Sequence, residues 1–282
     1  MDTNVIALLH PGEMGAAVGA CLKGRAGVVC ALADRSAATA ARAKAAGLED
    51  AGTLEAAVQR SGIVFSVCPP HGALDLARRV AACGFKGLYI DANAIAPETA
   101  RSVGRVVEAA GARFVDAGII GPPPAKPGST ALVLCGPGRG EAARLLEGSA
   151  LKTQVLDGPI GSASALKACY AAWTKGTWLL LASICAVAER EGVGAALRER
   201  WSATHPQLVE QFSAPSANPP KAWRWLGEME EIAAMFDSAG QPGGFLLAAA
   251  EVCRKLERFK DDPSRPSIEK ILPTLLQRAV DG

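Results

Sequence analysis

The sequence has almost no excess of charge: 30 Lys and Arg stand against 28 Asp and Glu, and there is no basic run interleaved with aromatics. Such a run is what tracks a nucleic-acid backbone, so nucleic acid is not expected as a partner. None of the eight cysteines, at 21, 30, 68, 83, 135, 169, 185 and 253, falls into a zinc-type or CxxC spacing. Neither a metal site nor a disulfide framework is expected, and the thiols read as buried and free in a reducing cytosol. No basic segment with an apolar core opens the chain, and the longest apolar run, Trp178 to Ala188, is shorter than the roughly 20 residues a membrane span needs. A cytoplasmic protein without a membrane partner is therefore expected. Internal repeats are lacking, as are low-complexity tracts beyond a richness in alanine.

What is present is an alternation. Short apolar or β-branched runs at Val5–Leu9, Val28–Ala33, Ile63–Cys68, Gly87–Ile90 and Arg113–Val115 are separated by Ala-rich helical stretches, with further strands predicted at Ala131–Cys135 and Thr153–Leu156. Strands apolar throughout, alternating with helices, predict an α/β fold with a doubly wound parallel sheet covered on both faces. From Gly161 the texture changes. Ser162 to about Arg190 reads as one long linking helix, and Ala195–His205, Trp223–Phe236, Phe245–Arg258 and Ile268–Val280 as helices separated by Pro and Gly breaks. Two domains follow: residues 1–160, α/β, and residues 161–282, all-α. The tail tryptophans Trp201, Trp223 and Trp225 read as core or interface residues.

The stretch "LLHPGEMG" has the strand, turn and helix start of a pyrophosphate-binding turn, but His10 stands where the first glycine belongs. Gly12 falls where the backbone approaches the phosphates and Gly15 where helix packs on strand. Pro11 is expected to hold His10 extended. Cofactor contacts are assigned to Gly12, Glu13, Met14 and Gly15. Twenty-two residues after Gly12 comes Asp34, followed by Arg35 and Ser36. Asp34 could accept from the ribose hydroxyls of NAD(H); Arg35 and Ser36 could hold the 2′-phosphate of NADP(H), the preferred cofactor in this reading.

Four ordered stretches carry a resemblance to the β-hydroxyacid dehydrogenases, the superfamily of 6-phosphogluconate and 3-hydroxyisobutyrate dehydrogenases. They are "HPGEMG", "DANAIAPETA" from Asp91, "FVDAGIIGPPPAKPGSTALVLCG" from Phe114 and "GSASALKACYAAWTKG" from Gly161. The resemblance implies a Rossmann domain, a helical substrate and dimerisation domain joined to it by a long helix, an active site in the cleft between them, and a homodimer. It implies that Lys167 is the general acid and base in hydride transfer between a nicotinamide and a ketone or secondary alcohol. It places Cys68 and Pro69 beside the cofactor, Asn93 against cofactor or substrate, and Ile120, Gly121, Tyr170 and Thr174 on the substrate side. Tyr170 and Thr174 share the helix face of Lys167.

Three departures bear on the substrate. Ile120 replaces a serine that helps hold a carboxylate, Tyr170 replaces an asparagine, and Asn93 and Ala94 replace serine and threonine. They point to a 3-hydroxy acid held differently or to a bulkier, aromatic small molecule. Imine reduction is the alternative chemistry, and a non-catalytic nucleotide-binding protein the alternative class. His71 reads as a cap or surface residue and is given no role.

Overall fold

The computed structural model describes residues 2–277. The chain divides into two compact units, Met1–Ala168 and Cys169–Gly282. The division falls within a helix, a little beyond the boundary expected at residue 160.

The first unit is an eight-stranded sheet. Its strands are β1 (Asp2–Leu9), β2 (Gly27–Cys30), β3 (Glu49–Asp50), β4 (Ser61–Ser66), β5 (Leu88–Asp91), β6 (Arg113–Ile120), β7 (Thr130–Cys135) and β8 (Leu151–Val155), in the order β3-β2-β1-β4-β5-β6-β7-β8. All neighbours run parallel except the antiparallel pair β6 and β7. The helices between them are α1 (Glu13–Leu22), α2 (Ala37–Ala45), α3 (Leu54–Arg60), α4 (Ala73–Ala82), α5 (Pro97–Ala109) and α6 (Arg139–Leu145). Side chains alternate between two cores. Ile6, Leu8, Ile63, Phe65 and Ile90 join one, while Ala7, Leu9, Val64 and Tyr89 join the other. Each fully buried Leu, Ile or Phe contributes about 1.5–3 kcal/mol, so both faces of the sheet are stabilised.

Helix starts follow local chemistry. Ser36 accepts from the Thr39 amide at 3.3 Å to cap α2, Thr53 accepts from the Ala56 amide at 3.2 Å to cap α3, and Pro97 opens α5. The strand order reverses direction between β1 and β4, which puts a topological switch point at their carboxyl ends, where open α/β sheets bind ligands. Two expectations need correction. The predicted strand Val28–Ala33 stops at Cys30, because Leu32 and Ala33 donate instead to the Gly52 carbonyl. Two-residue β3 carries no apolar pattern, which is why it was missed.

α7 (Ser162–Thr174) begins in the first unit and runs into the second. There it is followed by α8 (Gly176–Arg190), α9 (Gly194–Thr204), α10 (Pro206–Ser213), α11 (Leu226–Ser238), α12 (Gly244–Lys255) and α13 (Ile268–Leu275). α7 and α8 together form the long helix expected: Lys175 between them keeps right-handed helical angles and both of its backbone helix bonds, while its ammonium pairs with the buried carboxylate of Glu228 and lies 5.3 Å from the Trp225 ring centre. Trp225 in turn meets Trp178 edge-on, with ring centres 6.2 Å apart, inside the helical core. Pro206, expected only to end a helix, also starts α10, where its missing N–H costs nothing. The last predicted helix holds as far as Leu275; its extension over residues 278–280 lies outside the described residues.

Read end to end, Ser162–Arg190 is long and apolar enough to cross a membrane by length and composition, which corrects the expectation from the shorter run. Of its most apolar window, 44% is buried inside the protein.

Candidate active site

The glycine turn joins β1 to α1. The His10 carbonyl accepts from the Gly12 amide at 2.8 Å, closing a tight turn. This corrects the expected extended conformation: His10 has φ +69°, in the left-handed region. A Cβ on Gly15 would stand 2.5 Å from the same carbonyl oxygen, so the first turn of α1 packs on this loop only without a side chain there. Gly12 is the N-terminal flanking residue of α1, and no side chain caps the helix. The first-turn backbone of α1, with Glu13 and Met14, and the positive dipole end of the helix form a cradle that suits a pyrophosphate. The residues present thus fit a dinucleotide.

Asp34, Arg35 and Ser36 occupy an exposed turn beyond the end of β2, closed by the Arg35 amide donating to the Leu32 carbonyl at 3.0 Å. Ser36 spends its hydroxyl on capping α2. The Arg35 guanidinium crosses to the glycine turn, where Nη1 meets His10 Nδ1 at 3.1 Å. His71, in the short turn after β4, is exposed and adds its charge to the surroundings of His10.

Further along the sheet a polar row crosses its carboxyl end. Register pairs Ser66 with Asp91, Asp91 with Asp116 and Asp116 with Cys135, and all four are buried. Neighbours in one row face the same side of a sheet. Asn93 lies just beyond Asp91 at 1% exposure. Its Oδ1 accepts from the Cys68 amide at 2.6 Å, and its Nδ2 donates to Ser66 Oγ and Asp91 Oδ2, both at 3.0 Å. Asn93 was expected to offer its amide to nicotinamide or substrate. Both amide hydrogens are instead committed inside the protein, so the residue braces the Cys68–Pro69 loop against β5. Burial pushes the Asp91 carboxyl up to about 7, with the Asp116 charge adding to the effect against the bonds from Asn93. Burial likewise pushes the Cys68 thiol up to about 12, leaving it protonated.

Asp116 is the residue that spacing alone did not reveal. Its Oδ2 accepts from the amides of Gly161 (2.9 Å), Ala163 (3.0 Å) and Ser164 (3.2 Å) and from the Cys135 thiol (3.1 Å). Its Oδ1 accepts from the Ser164 hydroxyl at 2.6 Å. A buried carboxylate therefore receives the first turn of α7, where the helix dipole favours negative charge. Two residues on, Gly118 lets the helix close onto β6: a Cβ there would stand 2.9 Å from the Ala163 carbonyl oxygen and 3.0 Å from Lys167 Cβ. Lys167 is thus fixed against β6, half-buried, one turn after the anchored helix start.

Ile120, at the end of β6, packs partly buried against Val133, Cys135 and Ala163. Gly121 turns the chain after it with φ +126°, and the Thr130 hydroxyl holds the following loop by donating to the Pro122 carbonyl. Tyr170 and Thr174 lie on α7 past the unit boundary, both exposed, and the Thr174 hydroxyl donates to the Tyr170 carbonyl at 2.9 Å. Among the described residues no cluster of three or more His, Cys, Asp or Glu could hold a metal ion.

A switch-point sheet with an uncapped glycine-turn helix suits the binding of a dinucleotide. Residues 5–147, just over half the chain, match the model of the NAD binding domain of 6-phosphogluconate dehydrogenase, and the chain belongs to that family. Residues 188–256 match a domain of unknown function. A solved protein of unknown function, described as structurally similar to 3-hydroxyacid dehydrogenases, is 26% identical, with 90% of this chain and 97% of that one covered and a TM-score of 0.65. Mycobacterium tuberculosis 3-hydroxyisobutyrate dehydrogenase with L-serine is 21% identical over 98% and 100% of the two chains, with a TM-score of 0.67. An Aspergillus terreus reductive aminase with NADPH and ethyl levulinate is 18% identical over 97% and 99%, with a TM-score of 0.54. The last two are likenesses of fold. The protein is an NAD(P)-dependent oxidoreductase of the 6-phosphogluconate dehydrogenase family.

Proposed function

We propose that the protein interconverts a ketone and a secondary alcohol with NADP(H) as the preferred cofactor and Lys167 as general acid and base. The observation that carries this reading is the seating of Lys167 on β6, held by Asp116 at the start of α7 and by the absent side chain of Gly118. A bound nicotinamide supplies or receives the hydride. In the reducing direction the Lys167 ammonium gives a proton to the substrate oxygen; in the oxidising direction the amine takes it back. Arg35, exposed after β2, supports the preference for a 2′-phosphate.

With Ile120 where a carboxylate anchor would stand, and Tyr170 exposed on the helix that carries Lys167, the favoured substrate is a bulkier, aromatic carbonyl compound or a 3-hydroxy acid held by other groups. Ile120 also favours a second chemistry, reduction of C=N, which needs no carboxylate anchor. A homodimer is supported by an apolar stripe at helical spacing on α7 and α8, formed by Tyr170, Trp173, Leu180, Ile184 and Val187, all exposed. Eight free thiols support a reducing, cytoplasmic setting.

A panel of ketones and imines, followed by the absorbance of reduced nicotinamide, tests the reading with Lys167→Ala alongside. Turnover should fall by about 10²–10⁴-fold while cofactor affinity stays within twofold. Unchanged turnover in the variant would remove Lys167 from the chemistry.

A further inference from the structure

His10 occupies the one position of the glycine turn where a side chain is least welcome. A non-glycine residue at φ +69° carries a conformational cost that a glycine would not bear. Such strain persists where surrounding contacts impose it. Here the contact is Arg35: Nη1 lies 3.1 Å from His10 Nδ1, across 25 residues of sequence. Burial, followed by the charges of Arg35 and His71, lowers the His10 imidazole to about 4, so at neutral pH the ring is uncharged. Nδ1 then carries the lone pair that accepts from the guanidinium, and the ring proton sits on Nε2. The ring also lies over Gly12, with Cδ2 3.6 Å and Nε2 3.8 Å from where a Cβ would stand. His10 therefore touches both the pyrophosphate turn and the cation beyond β2.

The chemistry of this partner matters. Among the described residues no carboxylate pairs with the Arg35 side chain, whose hydrogen bond goes to His10. A carboxylate would hold the guanidinium by neutralising it. A neutral imidazole orients the group through one N–H and leaves the positive charge and the remaining donors for an anion.

We propose that His10 is a positioning residue that holds Arg35 as an unneutralised cation for the 2′-phosphate of NADP(H), linking cofactor discrimination to the glycine turn. The proposal rests on the NADP(H) preference argued above. It is tested by calorimetric binding of NADPH, NADH and adenosine 2′,5′-bisphosphate to wild type, His10→Gly, His10→Asn, Arg35→Ala and the His10→Gly/Arg35→Ala double variant. His10→Gly removes the strain as well as the ring and is expected to fold. It should weaken NADPH and the bisphosphate by about tenfold, the worth of one hydrogen bond, and leave NADH within twofold. Arg35→Ala should weaken the same two ligands more, and His10→Gly should add nothing in its background. His10→Asn, which keeps a side-chain acceptor and tolerates the left-handed region, should recover part of the loss. If Arg35→Ala shifts the NADPH to NADH ratio and His10→Gly does not, the positioning role is overturned and the NADP(H) reading stands. If Arg35→Ala leaves the ratio unchanged, the NADP(H) reading falls and the proposal with it.

Discussion

Replacing Asp116 with Ala removes the acceptor from three backbone amides and one hydroxyl in a buried setting, those of Gly161, Ala163 and Ser164. An unsatisfied buried donor costs about 1–3 kcal/mol. Water entering the vacated space recovers part of that sum, which leaves a loss of about 3–5 kcal/mol, the usual scale for removing one member of a buried charged network. Asp116→Asn should cost far less. Its amide oxygen can take the place of Oδ2 while its NH₂ donates to a Ser164 hydroxyl that has rotated to accept. What is lost is the charge opposite the helix start, about 1 kcal/mol. The assay must report on the first unit. All five tryptophans follow residue 168 in the sequence, so their fluorescence reports the second unit. Urea unfolding by far-ultraviolet circular dichroism, with hydrogen exchange at Gly161, Ala163 and Ser164, is the suitable pair. Exchange at these amides should accelerate strongly in the Ala variant and modestly in the Asn variant. An Ala variant within about 1 kcal/mol of wild type, with exchange unaltered, would refute the anchoring of α7 by this carboxylate.

Two further outcomes follow from the same region and from the glycine turn. Asp91 is raised from 3.8 to about 7 in the folded protein, so it binds its proton more tightly folded than unfolded, and its contribution to stability declines as pH rises from about 4 to 7. The slope is at most about 1.4 kcal/mol per pH unit. Melting followed across that window should show Asp116→Asn, which removes the neighbouring charge, moving the upper end of the decline to lower pH; an unmoved profile would mean the two carboxylates do not interact. Gly15→Ala places a methyl group 2.5 Å from the His10 carbonyl oxygen and should cost about 1–3 kcal/mol and abolish calorimetric cofactor binding. A Gly15→Ala protein that binds NADPH normally would mean the turn and α1 can separate without consequence.

Much of the architecture was legible because it rests on periodicity. The apolar strand runs and the change of texture at Gly161 marked the parallel sheet and the helical region, and Gly12 and Gly15 marked the turn. Features that depend on long-range partners were not legible. Asp116 draws its backbone amide donors from 45 to 48 residues away, and no spacing rule joins "FVDAG" to "GSAS". Asn93 was read from its chemistry as a free amide, but its three partners come from β4, β5 and the loop after β4, which only the folded sheet assembles. His10 was assigned the backbone its following proline favours; the close approach of Gly12 and Gly15 overrides that local preference.

The row Ser66, Asp91, Asp116 and Cys135 also bears on how the sheet finds its alignment. The interiors of β4, β5 and β6 are nearly uniform runs of apolar residues, which by themselves would tolerate sliding past one another. A slip of one residue would turn every side chain to the opposite face. It would carry Asn93 away from Ser66 and Cys68 and Asp116 away from the α7 amides, stranding a carboxylate among Phe65, Ile90 and Val115 on the other face. The four polar side chains thus act as an index mark, penalising misaligned sheets during folding at the same end of the strands where the site is later built.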